Sequence, residues 1–374
     1  MDPLLQYQEA HRDDTIQLLR GLVEMESPTF EKALVDDVGR FLVAHFQKLG
    51  FAIRTFPQAE RGDHFLATRG EGSQVLVLLH FDTIWSRGDV AQRPFRIEDG
   101  RAYGPGAFDM KGGIAILSAA LEGMAALGQR VQGRLAILCT SDEEVGSGTS
   151  RPLIERLGRE SRCVLVPEPA PEPNAVITSR KGVGNSFVTI HGRAAHAGRD
   201  HAKGVSALVE AAHHILFLQG RTDYGRGTTV NVGYARGGTR VNVVPDRIEL
   251  GVDFRFTTGE EGERVAAVIP GLRPVNPAAR LEVSGGVNRP PLERAQGVFG
   301  LLETAKAGAR DLGLELRECS TGGGSDGNFT AALGIPTLDG LGVAGDGAHA
   351  LHEHVLIEEL PRRAALLGNL LQRV

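Results

Sequence analysis

The sequence predicts an α/β protein in which one large domain is interrupted by a small one. Three observations carry this. Up to about residue 180, short apolar runs alternate with helical stretches, the pattern of a mostly parallel sheet covered by helices. Between 181 and 288 the order becomes strand, helix, strand, strand, helix, strand, a small two-layer α+β arrangement of ferredoxin-like type. After 288 the α/β pattern returns. Residues 1–180 and 289–374 therefore form one discontinuous domain, with 181–288 inserted in it. A chain of 374 residues is long enough for two cores.

The elements follow from spacing. Ile16, Leu19, Leu22 and Val23 recur at helical intervals, which predicts a helix over 14–25. Val35, Val38, Phe41, Leu42 and Leu49 predict another over 32–49, and Gly50 stops it. Residues 51–56 and 65–68 read as strands. The run 75–79 is apolar without alternation, as in a strand covered on both faces. His80-Phe81-Asp82 follows it directly. Residues 99–104 turn the chain, and 106–113 lead into an apolar helix at 114–127. A strand at 135–139 ends at Glu143-Glu144. A helix at 150–157 and a strand at 163–166 come next, the strand ending at Glu168. In the insert, strands are expected at 185–191, 229–235, 247–256 and 280–284, with helices at 205–218 and 260–269. The last part reads as helix 296–312, strand 315–320, short helix 325–333, a short strand from Leu338, a loop at His349 and a closing helix at 358–371.

Composition excludes several classes. Hydrophobic residues at 41% and charged residues at 23% are ordinary for a globular chain. A net charge of −5 gives no electrostatic case for nucleic acid. The opening Met-Asp-Pro has no signal-peptide core, and no apolar run is long enough to cross a bilayer. Cys139, Cys163 and Cys319 lie too far apart for a zinc motif or a disulfide framework. They read as small buried residues in a reducing compartment, so a cytoplasmic location without a membrane partner is expected.

His80, Asp109, the Glu143/Glu144 pair and Glu168 all fall just past strand ends, where ligands bind in open α/β sheets. Alone, Glu143-Glu144 is an ordinary acidic turn and His80 an ordinary strand-end histidine. Together, so many carboxylates repel one another unless a cation sits among them. Histidine with carboxylates suits zinc, and cobalt or manganese less specifically. Neighbouring side chains in extended chain point to opposite sides, so one of Glu143 and Glu144 can hold metal while the other handles a proton. Asp82 lies two residues from His80 and faces the same way, placed to hydrogen-bond the free ring nitrogen.

These residues stand in recognisable motifs. His80-Phe81-Asp82-Thr83, Gly104-Pro-Gly-Ala-Phe-Asp109-Met-Lys-Gly-Gly113, Ser141-Asp-Glu143-Glu144-Val-Gly146 and Glu168-Pro169 resemble the signature of the zinc aminoacylase/carboxypeptidase family. That family includes glutamate carboxypeptidase, acetylornithine deacetylase, succinyl-diaminopimelate desuccinylase and the aminoacylases. Gly192-Arg-Ala-Ala-His196-Ala-Gly198 and His349-Ala-Leu-His-Glu353-His-Val355 match as well. The resemblance covers nearly the whole chain, with six motifs in family order.

The resemblance implies a zinc-exopeptidase-like catalytic domain and an inserted lid and dimerisation domain. It implies two zinc ions per subunit bridged by Asp109, with His80 and Glu168 on one and Glu144 and His349 on the other. Glu143 is then the general base toward a metal-bridging water, and the peptide bond after Asp109 is cis. His349 is chosen over His352 and His354 by the family's spacing to Glu353. His196 is implied as a donor to the oxyanion, delivered by domain closure. Asn242 matches a substrate-contacting position on the small domain, although a residue without functional role is equally open. Arg289 matches an arginine that holds the substrate's carboxylate; its plain alternative is a hinge arginine facing water. Arg180 and Lys181 are weaker candidates for that task. Trp85 either lines a substrate pocket or packs a loop. The glycine-rich run 321–326 lacks the lysine of a phosphate loop, and Asp326 in it reads as structural.

The expected function is hydrolysis of an amide or peptide bond beside a free carboxylate, as in a glutamate carboxypeptidase, acting on a small peptide. The alternative is an N-acyl-amino-acid deacylase. A non-catalytic binding protein on the same fold is disfavoured by the intact set of ligand positions. A homodimer through the insert is expected from the resemblance alone.

Overall fold

A computed structural model of the protein describes residues 2–374. The chain forms two compact units. The first comprises the residues up to Ser179, Arg294–Thr321 and Ser325–Val374; the second is Arg180–Glu293 with Gly322–Gly324.

The first unit is built on a six-stranded sheet. Its spatial order is Ala52–Phe56, His64–Arg69, Arg134–Thr140, Gln74–His80, Ser161–Leu165 and Thr337–Leu338. The first two strands are antiparallel to their neighbours, and the inner pairings from Arg134–Thr140 onward are parallel. Gln74–His80 is buried along its whole length, as its unbroken apolar run requires. Helix Gly112–Ala126 is apolar all round and almost wholly buried, the mark of a helix inside a core. Phe46, Phe65, Phe81, Leu117 and Leu367 belong to that core.

Several elements depart from expectation. A helix at Pro3–Ala10, capped by Asp2, opens the described chain. The supposed turn at 99–104 holds the strand Arg101–Tyr103. It pairs with Arg96–Glu98 and with His354–Leu356, and Gly345–Asp346 completes a second sheet. A strand at Ala175–Arg180 pairs with Arg317–Thr321. The peptide bond between Asp109 and Met110 is cis.

The second unit is a four-stranded antiparallel sheet in the order Thr229–Gly237, Arg247–Phe256, Gly182–His191, Arg280–Arg289. Helices Ala207–Gln219 and Gly259–Ala266 supply its second layer, packing Ala211, Leu218 and Val265 into one core with Val188, Leu250 and Phe254. Arg280–Arg289 runs five residues past the expected end of that strand. Gly285 and Gly286 break the apolar pattern there, but pairing with Gly182–His191 carries through them.

Candidate metal centre

Five residues from distant parts of the first unit meet at the carboxyl ends of its parallel strands. His80 ends the strand Gln74–His80 and is buried. Its Nε2 lies 3.2 Å from Asp109 Oδ1 and 3.5 Å from Glu168 Oε1. His349 Nε2 lies 3.4 Å from Asp109 Oδ2 and 3.1 Å from Glu144 Oε2. The two oxygens of Asp109 therefore face two different imidazoles. Glu143 offers a carboxylate oxygen within 4.8 Å of a ring nitrogen of His80 and a carboxylate oxygen of Glu168.

The scaffold beneath these side chains is made of hydrogen bonds. Asp82 is fully buried. Its carboxylate accepts from Thr29 Oγ1 at 2.8 Å and from the backbone N–H groups of Glu143 and Glu144, each at 3.3 Å. The free ring nitrogen of His80 meets the Asp82 carbonyl at 3.1 Å, while the Asp82 carboxylate is 3.5 Å away. This corrects the expected partner: the backbone oxygen orients the imidazole because the carboxylate is committed to the glutamate turn. The turn is fixed further by Asp142, which accepts from Thr149 and Ser150, and by Asp326, which accepts from Thr140 at 3.2 Å and from Ser147.

Charge at the centre is unbalanced in a telling direction. Burial disfavours a proton on His80, yet the carboxylates of Asp109, Asp82 and Glu168 around its ring raise its pKa well above the usual imidazole range. Hydrogen bonds to Asp109 and Glu144 push His349 up to about 10. Burial, then the charge of Asp109, push Glu144 up to about 7. Burial opposes the charge on Asp109, but the two imidazoles outweigh it and hold its carboxyl low. Converging carboxylates draw protons onto their neighbours because they need positive charge. A set of imidazole and carboxylate donors with that need fits a divalent cation of the zinc type.

The other expected site residues belong to the second unit. His196 is exposed on the short strand Ala195–His196. Its Nδ1 accepts from the backbone N–H groups of Gly198 at 3.2 Å and Arg199 at 3.1 Å. In the neutral ring the proton must then sit on Nε2, so that atom is a donor. Asn242 is exposed, and its carbonyl accepts from the Ala197 N–H at 3.0 Å. Arg289 is buried, with its Cδ beside Gly324, so it is not a hinge arginine facing water. Arg180 is buried as well and donates to the Gly323 carbonyl at 3.3 Å, whereas Lys181 is half-buried. His352 is exposed, 3.9 Å from Asp346, and His354 packs on Tyr103.

A sequence model of peptidase family M20/M25/M40 matches residues 76–373, spanning both units and every donor at the centre. The chain belongs to that family. It is an enzyme, a metal-dependent amidohydrolase of the M20 type. Among curated relatives, carboxypeptidase G2 from Pseudomonas sp. (strain RS-16) is 32% identical, over 95% of this chain and 88% of its own length. A succinyl-diaminopimelate desuccinylase from Alkalilimnicola ehrlichii is 30% identical over 96% of this chain and 99% of its own. The fold matches an M20 family metallo-carboxypeptidase from Sulfolobus solfataricus with a TM-score of 0.76, at 15% identity over 96% of this chain and 99% of that one. No helix among the described residues is long and apolar enough to cross a membrane.

Two residues of the M20 centre escaped the reading of the sequence. Glu353, used there only for its spacing, is buried and accepts from the N–H groups of Gly106, Phe108 and Asp109 at 2.8, 3.0 and 3.1 Å. It holds the loop that presents Asp109. Gly106 has φ of +75°, and a Cβ there would stand 2.7 Å from the Thr83 methyl, so only glycine fits this loop. His64 is the second: its ring bonds Thr149 on one side and Ser141 on the other, under the glutamate turn. The four-residue step from His349 to Glu353 was the available signal for the first; nothing local marks the second.

Proposed function

We propose that this M20 enzyme is a dinuclear zinc hydrolase that cleaves an amide or peptide bond next to a free carboxylate, in the manner of a glutamate carboxypeptidase. The observation that carries the reading is the division of Asp109, with Oδ1 toward His80 and Oδ2 toward His349. His80 and Glu168 would hold one ion, Glu144 and His349 the other, with Asp109 shared between them. The 32% identity to carboxypeptidase G2 supports the reaction class. A Bacillus subtilis protein of the same fold, TM-score 0.68, is described as a dinuclear metal-binding peptidase of the M20 family.

When bound, the ions supply Lewis acidity, polarising the scissile carbonyl and making water a stronger acid. The chain's own residues do the rest. Glu143 accepts the proton of the attacking water and returns it to the leaving nitrogen. Asp82 keeps Glu143 and Glu144 in register by holding both of their backbone N–H groups. His196 offers its Nε2 proton to the oxyanion. Arg289 supplies a planar pair of donors for the substrate's carboxylate, and Asn242 a further contact. The second unit acts as lid and as the interface of a homodimer. Three free cysteines fit a reducing, cytoplasmic setting.

A second reading is favoured by the desuccinylase relative: hydrolysis of an N-acyl amino acid by the same chemistry. A panel of C-terminal glutamate peptides, folate-type conjugates and N-acyl amino acids, assayed with zinc, cobalt and manganese separately, distinguishes the two. Hydrolysis of no member with any metal would sink both.

A further inference from the structure

Helix Leu360–Arg373 buries an arginine, Arg363, that the proposed chemistry does not use. It is 1% exposed. Its four hydrogen bonds all go to backbone carbonyls. Nε donates to Gly342 at 2.6 Å and Nη2 to Gly340 at 2.5 Å, while Nη1 donates to Pro173 and Ala175 at 3.2 and 3.0 Å. Burial lowers its pKa to about 10, so the guanidinium stays charged at neutral pH. Glu359 favours that charge but bonds Arg362 instead, at 2.9 Å. A guanidinium taken out of water is costly unless its donors are matched. Here the carbonyls of two separate segments match them.

Those two segments support Glu168. Residues 167–173 read Pro-Glu-Pro-Ala-Pro-Glu-Pro. Proline at every second position removes every second backbone donor, so this stretch cannot hold itself in a regular ladder. Residues 340–343 hold it instead. The Gly342 N–H donates to the Glu168 carbonyl at 2.8 Å, and the Ala170 N–H donates to the Val343 carbonyl at 2.9 Å. A Cβ on Gly342 would stand 2.2 Å from the Pro167 carbonyl oxygen, so the two backbones approach as only glycine permits. Arg363 completes the chain of bonds. Its Nε holds the carbonyl of the same Gly342, and its Nη1 holds the far end of the proline stretch at Pro173. The Glu168 carboxylate then lies 3.5 Å from His80 Nε2. A lysine presents its donors from one point, whereas the planar arginine fork reaches both segments at once.

We infer that Arg363 is a positioning residue of the metal centre: it locks the proline-rich stretch to the 340–342 turn and so fixes Glu168 against His80. The inference rests on the proposed role of Glu168 as a metal ligand and adds a residue that acts through it.

Zinc affinity, measured by chelator competition, separates this role from a purely structural one. Arg363→Met should weaken zinc binding about 10–100-fold, the usual effect of removing a ligand's outer support. In a Glu168→Ala background the same substitution should change the remaining affinity by less than about twofold, because the residue it acts through is gone. Equal losses in the two backgrounds, or wild-type affinity in folded Arg363→Met, overturn the inference. If Arg363→Met does not fold, Arg363→Lys is measured in the same two backgrounds. It keeps the charge and loses the fork, so a smaller loss confined to the Glu168-containing background is expected. Equal losses, or none, overturn the inference there too. The number of zinc ions per wild-type chain, from the same titrations, tests the two-ion reading by itself. A single ion removes that reading and leaves the comparison of backgrounds intact, whereas no bound zinc in wild type overturns both.

Discussion

Replacing Glu353 tests whether the metal centre depends on a residue that touches no metal. Its carboxylate accepts three backbone N–H groups from the loop carrying Asp109, and the Trp85 indole at 2.8 Å. Glu353→Ala strands all four donors. Each buried donor left without a partner costs about 1–3 kcal/mol. Water entering the vacated space pairs some of them, so a net loss of about 3–5 kcal/mol is expected, the range of a broken buried network. Glu353→Gln keeps one acceptor oxygen, which can serve Phe108 and Asp109 as Oε1 does now. Its amide nitrogen then faces the N–H groups of Gly106 and Trp85, donor against donor. About half the loss is expected. Urea unfolding of the metal-stripped protein measures this without metal linkage, and zinc content after dialysis measures the consequence for Asp109. The order wild type, Gln, Ala should hold in both. Wild-type midpoint and zinc content in Glu353→Ala would refute the claim that this network presents Asp109.

Other outcomes follow from the same geometry. Glu143→Gln should keep its zinc and lose about 10²–10⁴ in kcat; equal activity would exclude Glu143 as the base. His196→Ala should lose about 10²–10³ in kcat at unchanged metal content, and loss of metal would show that the residue is misassigned. Zinc affinity should tighten as pH rises from about 6 to 8, because imidazoles that hold protons in the metal-free centre must release them to bind. The raised pKa values of His80 and His349, the latter about 10, set this sign. Calorimetry in buffers of different ionisation enthalpy should detect the released protons, and a flat affinity profile would contradict it. Light scattering should give a dimer; a clean monomer removes the interface role of the second unit.

The centre was legible wherever the chemistry directly follows a buried strand. The apolar runs leading to His80 and to Glu143 are each continuous, so their ends could be read to within a residue or two. The α/β class followed from the same runs. What stayed hidden depends on partners far away in the chain. Glu353 bonds Gly106 across 247 residues; its four-residue step from His349 marks the residue but says nothing of that partner. Asp82 was assigned to His80 because they are neighbours on one face, but its carboxylate goes to backbone 61 and 62 residues away. Strands Arg96–Glu98 and Arg101–Tyr103 are three residues each, the first exposed throughout, and both are too short to show alternation. The helix Pro3–Ala10 had its signals in place, an Asp2 cap and a proline at the first turn, but only two turns of pattern behind them.

The acids around the centre fall into two groups that are treated differently. Asp82 and Asp142 are buried and held by hydroxyls and backbone N–H groups; Glu353 is held by backbone N–H groups and an indole. Neutral donors satisfy a carboxylate's oxygens without cancelling its charge. Arginine or lysine in those places would fix the same loops but fill the cavity with positive potential. Holding the scaffold acids with dipoles keeps the surroundings negative, and that field adds to the one from Asp109, Glu144 and Glu168. The raised pKa values of His80 and His349 are the response of the only titratable bases in direct contact with Asp109 among the described residues. The same field that draws protons onto them concentrates divalent cations, and a dication meets the demand with no bond to a proton that must later be removed. The choice of neutral donors beneath the site is thus part of how the site binds metal.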